Sequence, residues 1–406
     1  MKAITWLSII GINENGMDGL CGEACAAIST AALVVGGKRH LELARELIMG
    51  ETLEWPSPPH NAIPAIKAKY PAKVCVLCTG DPFNYGMGAV LAKHIPIEEM
   101  QVLPAPSIFS LVVAKLGWAL QHTVTIGLNG RPVERIIPHL QPGAHLIVLS
   151  ADERTPAAVA TLLCDRGLGE CKMTIMEHVG GSKERIRTLE AENFSLDDIA
   201  RLNCMAIEVP DTIAIKNRCL PVTSGFANEW FDHDGQITKR EVRAVTLSSL
   251  GLRKGELLWD IGLGSGSVAI EWLLCDPANR AVGFEKHPER AARAAANAKK
   301  LGVPQLVVMD GVAPGVFEGL EAPDAIFIGG GATVPGMMEA VWAALKSGGR
   351  LVINAISLET EALILSAHKH YGGELIRIGI ERADNVGSMT GWRPAMTVTQ
   401  WSVTKP

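Results

Sequence analysis

Residues 257–266 read LLWDIGLGSG, and this order decides the fold of the second half of the chain. Leu257–Ile261 is an apolar run of strand length. Gly262, Gly264 and Gly266 follow in a G-x-G-x-G spacing, and an apolar helical pattern runs from Ser267 to Leu274. Strand, glycine turn and helix in that order place a ligand at the carboxyl end of a parallel strand. Without a Cβ, the chain can turn sharply there and approach whatever binds. A dinucleotide-binding turn puts its third glycine one residue later, where this chain has Ser267. The next apolar run, Ala281–Phe284, ends in Glu285. An acid about 20 residues past such a turn accepts hydrogen bonds from the ribose hydroxyls of an adenosine. Turn and acid together, without the glycine a pyrophosphate needs, point to S-adenosylmethionine rather than NAD. A tight turn with a solvated glutamate is the plainer alternative. The expected cofactor contacts are Gly262, Leu263, Gly264, Ser265, Gly266 and Glu285.

Working outward, the strand run Gln305–Met309 leads into Asp310-Gly311-Val312, and Ala325–Ile328 leads into Gly329. Polar or glycine-rich strand ends here face the adenine side of a cofactor, which adds Asp310, Gly311, Val312 and Gly329. Arg350–Asn354 reads as a fifth strand, and Glu374–Arg382 and Met396–Val403 as two closing antiparallel strands. Helices are expected over Val242–Leu250 and Pro288–Leu301 and from Leu358 onward. Thr238, with Glu241 three residues on, makes a capping box for the first of these. Alternatively, Thr238 touches the cofactor from a loop folded over the glycine turn.

The first half alternates in the same way. Ile4–Ile12 reads as a strand broken at Gly11, Leu20–Ser29 as a helix, and Ala32–Val35 as a strand running into Gly36-Gly37-Lys38-Arg39-His40. A helix over Leu41–Ile48 and a strand over Lys73–Cys78 follow. Further strands are expected at Gln101–Leu103, Val124–Ile126, Leu146–Leu149, Met173–Glu177 and Cys204–Glu208, with a helix over Ile108–Leu116. Such alternation indicates parallel α/β packing. Lys73–Cys78 ends in TGDPFNYG, residues 79–86. Gly80 permits an unusual backbone angle and Pro82 fixes the turn after Asp81, so this loop presents amides, carbonyls and Asp81 to a ligand. The pattern changes at Asn203–Cys219 and the two halves share no motif, so a join near residue 212 gives domains 1–211 and 212–406.

Bulk properties agree with two domains: 406 residues exceed one ordinary core. A content of 48% hydrophobic and 20% charged residues is a soluble globular balance, and a net charge of −5 leaves no footprint for nucleic acid. No signal pattern or membrane-length apolar run is present, which makes the cytoplasm the expected location. Nine cysteines form no disulfide framework. Cys75 and Cys78 sit on one strand and face opposite sides, and Cys21 and Cys25 have no second pair nearby, so no metal is expected.

Gly11, GGKRHL (36–41), TGDPFNYG (79–86), PAPS (104–107), NGR (129–131) and EHVGGSKERI (177–186) resemble the tetrapyrrole methylases of cobalamin synthesis, most of all the precorrin C5-methyltransferase branch. The resemblance implies cofactor contacts at Gly11, Gly80, Asp81, Pro82, Tyr85, Gly86 and Ser107. The usual glycine-proline-glycine signature is here Gly11-Ile12-Asn13-Glu14-Asn15-Gly16. In the second half, FDHDGQITKREVR, LLWDIGLGSGS, FEKHPER, IFIGGG and INAISLET resemble the precorrin C15-methyltransferase (decarboxylating) family. The expected fold class is therefore α/β, a tetrapyrrole methylase fold followed by a Rossmann-like seven-stranded methyltransferase fold. The whole looks like a bifunctional enzyme with one S-adenosylmethionine site per domain. A nucleic-acid N-methyltransferase would carry an Asn/Asp-Pro-Pro-aromatic motif where this chain has Gly329-Gly330-Gly331-Ala332. A scaffold protein that kept the folds would not be expected to keep both cofactor motifs.

The implied chemistry is methyl transfer to the meso carbons of a reduced tetrapyrrole, with loss of carbon dioxide from the ring C acetate. A proton donor for that decarboxylation is expected among Asp232, His233 and Asp234. His233 is favoured, because histidine titrates near neutrality. The substrate carries many carboxylates, so fixed cations should meet it: Lys239 and Arg240 in the second domain, and Arg39, His40 and Arg131 in the first. Family habit adds a homo-oligomer.

Overall fold

The computed structural model describes residues 4–216 and 218–406, with the side chains of Ile213 and Asp310 outside the described set. The chain forms two compact units, Met1–Val133 with His139–Arg218, and Glu134–Pro138 with Cys219–Pro406. The expected join at residue 212 and the division after Arg218 bracket one short helix, Ile213–Lys216.

In the first unit, β1 (Leu7–Ile12), β2 (Leu33–Gly36), β3 (Glu51–Glu54), β4 (Val74–Thr79) and β5 (Met100–Leu103) form a wholly parallel sheet in the order β3-β2-β4-β1-β5. Its central strands are near-continuous apolar runs because both faces are covered. Alternation puts Leu7, Ile9, Val74, Val76 and Cys78 in one core layer, and Ile10, Ile12, Cys75 and Leu77 in the other. The two cysteines of the C-x-x-C thus face opposite ways, and burial pushes their thiols up, Cys75 to about 12 and Cys78 to about 11. The strand does not break at Gly11, which stays paired with Cys78. The helix after β2 is Lys38–Leu43, earlier than the sequence pattern suggested.

A second sheet holds β6 (Thr123–Gly127), β7 (His145–Leu149), β8 (Lys172–Glu177), β9 (Arg185–Glu190) and β10 (Asn203–Glu208) in the order β6-β7-β10-β8-β9, parallel only between β6 and β7. The edge strand β9 falls in what reads as a charged stretch. Its arginines, Arg185 and Arg187, lie on the less exposed face of the strand and both bind Glu177 and Asp198.

The second unit is one seven-stranded sheet with a separate hairpin. Its strands are β11 (Leu257–Ile261), β12 (Arg280–Glu285), β13 (Val307–Asp310), β14 (Ala325–Ile328), β15 (Arg350–Ala355) and β16 (Glu374–Ile378). The hairpin β17 (Glu381–Val386) and β18 (Met389–Pro394) precedes the last strand, β19 (Val398–Thr404). The order is β13-β12-β11-β14-β15-β19-β16. Only β19 runs against the others, inserted between β15 and β16. The expected strand Glu374–Arg382 is therefore two pieces. It leaves the sheet after Ile378, and Glu381 onward pairs with β18 instead. Trp259, Phe284 and Phe317 pack edge-on and tilted at 4.7–5.4 Å under the strand ends that form the cofactor turn.

Candidate functional sites

In the second unit, the carboxyl ends of β11, β12 and β14 open into a cavity of about 590 Å³. Gly262 takes φ +76°, and a Cβ there would lie 2.7 Å from the Gly330 nitrogen, so only glycine lets the turn lie against the β14 loop. The amides of Gly262 and Leu263 both donate to the Phe284 carbonyl, at 3.0 and 3.1 Å. The Gly264 amide donates to Glu285 Oε2 at 2.9 Å, and the His287 amide to Oε1 at 3.0 Å. The carboxylate is thereby fixed on the cavity wall with lone pairs left for a diol. Ser265 Oγ, also on that wall, is buried and has no hydrogen-bond partner among the described residues, although buried polar groups are as a rule paired. Gly266 lies behind the wall, against Ala294, where it turns the chain into the helix Ser267–Cys275.

A loop, residues 225–239, covers this turn, and Gln236 O stands 3.3 Å from where a Gly264 Cβ would be. Three anchors hold it. Asn297, almost wholly buried, donates to the carbonyls of Asp232 (2.8 Å) and Ser265 (2.9 Å) and accepts from the Asp232 amide (2.9 Å), tying loop to turn. Asp234 pairs with Arg290 (2.9 Å) and Arg293 (3.2 Å) of the helix Pro288–Lys300. The hydrogen bond from Arg290, then that from the Gln236 amide, holds its carboxyl well below the usual range. Arg243 and Glu271, at 0% and 1% exposure, meet at 2.6 Å. Glu271 also accepts from the amides of Gly225 and Phe226, and Arg243 donates to the carbonyls of Phe226 and Thr238.

These contacts give the segment 232–234 an anchoring position. Asp232, His233 and Asp234 do not line the cavity; His233 Nδ1 accepts from the Gly235 amide at 3.1 Å, within its own turn. Thr238 and Lys239 do line it, whereas Arg240 does not. The helix begins at Arg240 with Lys239 at its N-cap, so Thr238 lies one residue before the cap and no capping box forms on it, and Glu241 pairs instead with Arg382. Gly311, Val312 and Gly329 are on the wall. Asp310 pairs in register with Glu285 through its backbone, and its side chain lies outside the described residues. The sequence reading missed Asn354, Ile356, Arg382 and Met396, all on the wall, because strands and hairpin remote from the glycine turn supply them.

Beneath the turn, Asp260 is 1% exposed and accepts from the Ala269 amide at 3.1 Å. Burial, and secondarily the nearby Glu285 charge, pushes its carboxyl up to about 8, so it is protonated at neutral pH. A folded-state value above the unfolded one of about 3.9 means the native state holds a proton that the unfolded chain has released. The contribution is complete below pH 4 and is lost as pH rises through 8. Asp260→Asn, which keeps the acceptor and replaces the O–H by N–H, is expected to raise the melting temperature more at pH 8 than at pH 5. Thermal scans across that range check this, and a gain that does not grow with pH contradicts it.

The first unit holds a cavity of about 800 Å³ where the ends of β4 and β8 and the loops after β1 and β5 come together. A Cβ on Gly11 would lie 1.9 Å from Gly80 O and 2.5 Å from Ala105 N, so the chain there passes three abreast only with glycine. Gly80 (φ +60°) and Pro82 form the layer behind the wall, while Asp81, Tyr85, Gly86 and Ser107 are on it. Asp81 accepts from the Phe83 amide at 2.8 Å, and Ser107 caps the helix Ile108–Leu116 through the Ser110 amide. Tyr85 is held at φ +57° with its ring against Gly127. Ser150 Oγ and Asn203 Oδ1, on the same wall, are buried without a hydrogen-bond partner among the described residues.

Arg39 and His40 line this cavity, and Arg131 does not; Asn129 does. His40 Nδ1 accepts from the Gly37 amide at 3.3 Å, and its Nε2 lies 2.8 Å from Thr79 Oγ1 and 3.0 Å from Arg39 Nη2. Burial, then the Arg39 charge, pushes His40 down to about 4, so it is neutral at pH 7. Glu14 binds Arg39 through one oxygen and His178 Nδ1 through the other at 2.8 Å. Burial raises Glu14, yet the hydrogen bond with His178 and the Arg39 charge outweigh it and keep the carboxyl below its ordinary range. The sequence reading singled out neither Glu14 nor His178 as a site residue.

Among the described residues no group of three or more His, Cys, Asp or Glu is placed to hold a metal ion, and no helix is long and apolar enough to cross a membrane. The family model described as tetrapyrrole (corrin/porphyrin) methylases matches residues 7–194, and that described as precorrin methyltransferase domain matches residues 229–405. The chain is 51% identical to the precorrin-6Y C(5,15)-methyltransferase [decarboxylating] of a Sinorhizobium species, over 98% of this chain and 96% of the relative. It is 38% identical to the protein of the same name from Mycobacterium tuberculosis (strain CDC 1551 / Oshkosh), over 98% and 99%. A crystal structure of the C-terminal domain of precorrin-6Y C5,15-methyltransferase from Rhodobacter capsulatus is 40% identical over 46% of this chain and 100% of that one, with a TM-score of 0.44.

Proposed function

This chain belongs to the precorrin-6Y C(5,15)-methyltransferase (decarboxylating) family, and from that membership we propose how its two units divide the work. The enzyme is an S-adenosylmethionine-dependent C-methyltransferase of cobalamin biosynthesis. It methylates a precorrin at C5 and C15 and removes the ring C acetate carboxyl as carbon dioxide, converting precorrin-6B to precorrin-8. Each unit holds one cofactor site, the first serving C5 and the second serving C15 and decarboxylation. The observation that carries the division is that each unit has its own cavity, floored by a glycine cradle and walled by a buried, unpartnered serine hydroxyl, Ser150 in one and Ser265 in the other.

When bound, S-adenosylmethionine supplies a methyl on a sulfonium, transferred in line as its bond to sulfur breaks and the electron pair stays on sulfur. What the chain contributes is alignment. Glu285, held by two backbone donors, fixes the ribose in the second site, and residues 235–239 close over the turn. Asp81, Tyr85, Gly86 and Ser107 hold the cofactor in the first site. Lys239 and Arg39 receive substrate carboxylates. Asp232 and Asp234 act through the loop they anchor, and the proton donor for decarboxylation is not assigned to His233, whose ring serves its own turn. The enzyme works in the cytoplasm as a homo-oligomer.

Calorimetry of the intact chain with S-adenosylmethionine is expected to give two equivalents bound. Incubation with precorrin-6B should then give, by mass spectrometry, a product with two methyls gained and one carbon dioxide lost. One equivalent, or a product with one methyl, overturns the two-site reading.

A further inference from the structure

Methyl transfer from a sulfonium brings one positive charge into the macrocycle, so every turnover must return one proton to the protein or solvent. Nothing in the first cavity is assigned to that task. Three observations single out one residue. His178 is one of the two described non-glycine residues with positive φ, at +47°, and the other, Tyr85, lies in the same cavity. Backbone of that kind is retained where its surroundings over-determine it, and it concentrates at functional sites. Here the surroundings are visible: the His178 amide donates to Leu202 O, its carbonyl accepts from the Gly181 amide at 2.9 Å, and a Cβ on Gly181 would strike Glu14 Cβ at 2.6 Å. That glycine lets the turn after β8 close on the loop after β1.

Glu14 is the second observation. Its Oε2 accepts from His178 Nδ1 at 2.8 Å across 164 residues of sequence, and the pair with Arg39 keeps it ionised. A proton fixed on Nδ1 leaves Nε2 as the lone-pair nitrogen. Third, His178 lines the cavity and, among the described residues, no protein group hydrogen-bonds its Nε2. Glu14 aside, the other titratable groups on this wall are Arg39, His40, Asp81, Arg201, the Tyr85 phenol, which already carries its proton, and Cys78 and Cys204, whose thiols burial keeps protonated. His40 is already engaged at both ring nitrogens and is neutral at pH 7, Asp81 is taken up by the Phe83 amide and, on the reading above, by the cofactor, and the two arginines cannot accept a proton.

We infer that His178 is the proton acceptor of the first-domain methylation, with Glu14 as the positioning residue that sets its tautomer and stabilises the imidazolium. This rests on the reading of the first cavity as a methyltransferase site. As the macrocycle's π pair forms the new carbon–carbon bond, the ring system gains a positive charge. It is discharged when a proton on the methylated carbon or a conjugated ring nitrogen passes to Nε2 and its bonding pair returns to the ring. Glu14 balances the imidazolium until the proton leaves to solvent. No oxidant, reductant or further reactant is consumed.

The test uses the intact chain with precorrin-6B and S-adenosylmethionine, after wild type has been shown to add two methyls. Wild type adding none in the first unit would refute the site reading itself, and the two failures are therefore separable. His178→Gly suits the backbone at φ +47° and deletes only the ring. The expected result is a loss of about 100-fold in the first-domain methylation rate, with binding of S-adenosylmethionine unchanged by calorimetry and carbon dioxide release retained. Added imidazole should recover at least tenfold of the rate, a response that a merely structural histidine would not give. Glu14→Gln should lower kcat without raising KM. A His178→Gly rate within threefold of wild type, or a loss that imidazole leaves untouched, overturns the assignment.

Discussion

Removing either half of the Arg243–Glu271 pair is expected to destabilise the second unit by about 3–5 kcal/mol, because the remaining charge is left buried without its partner. Both side chains are essentially inaccessible, at 0% and 1%. Burial draws the Arg243 guanidinium down, against the pull of Glu271. The pair is more than an ion pair: Glu271 takes the amides of Gly225 and Phe226, and Arg243 takes the carbonyls of Phe226 and Thr238 and stacks over Phe231 at 4.7 Å. Arg243→Ala or Glu271→Ala should therefore lower the urea midpoint of this unit. It should also speed hydrogen exchange in the helices Arg240–Leu250 and Ser267–Cys275. The double change Arg243→Met with Glu271→Leu separates the two roles. With no lone charge it should recover most of the stability, yet the loop 225–239 would have lost one of its three anchors, and cofactor affinity at the second site should stay low. Single variants within about 1 kcal/mol of wild type would mean that water reaches the pair, contrary to its burial.

The parts of the molecule that could be read from sequence are those whose physics is local. LLWDIGLGSG announces itself because strand, glycine turn and helix are contiguous, and Glu285 follows at the end of the very next strand. TGDPFNYG is equally local, and Asp81 satisfies its own loop two residues on. What could not be read depends on partners far apart in the chain. Arg243 sits in REVRAVTLSSL, where an arginine reads as a solvated helix face, and only Glu271 from another helix makes it a buried one. Asn297 looks like one polar residue among lysines and arginines, yet it clamps the covering loop to the glycine turn. The segment 185–190 reads as charge, and is a strand because Glu177 and Asp198 absorb its arginines. Thr238 had the sequence of a cap, but the helix starts one residue later, with Lys239 at the N-cap. Closeness in sequence suggested that Asp232–Asp234 reach the reacting atoms. The helix Pro288–Lys300 holds Asp232 and Asp234 through Asn297, Arg290 and Arg293, and the His233 ring is taken up by the Gly235 amide.

Two cofactor sites in one chain can be told apart by removing one without touching the other, and Gly262→Ala does this. At φ +76°, any L-residue adds a backbone penalty of about 1–2 kcal/mol. The added Cβ would also lie 2.7 Å from the nitrogen and 2.9 Å from the oxygen of Gly330, and neither backbone atom can swing aside as a side chain could. The turn must move off the β14 loop, which pulls Gly264 from Glu285 and lifts the surface on which the cofactor rests. A loss of about 100-fold or more in affinity at that site is expected, the scale of a misplacement near 1 Å in a positioned site. Calorimetry should find one equivalent of S-adenosylmethionine bound to Gly262→Ala rather than two, and precorrin-6B should keep its ring C acetate carboxyl. Gly11→Ala is the mirror experiment, with a Cβ 1.9 Å from Gly80 O that forces open the first cavity, and it should erase the other equivalent. If Gly262→Ala still binds two equivalents, the glycine turn is not the cofactor floor, and the second activity must be sought elsewhere in the chain. If both variants erase the same single equivalent, the chain has one cofactor site and the division of labour between its units falls.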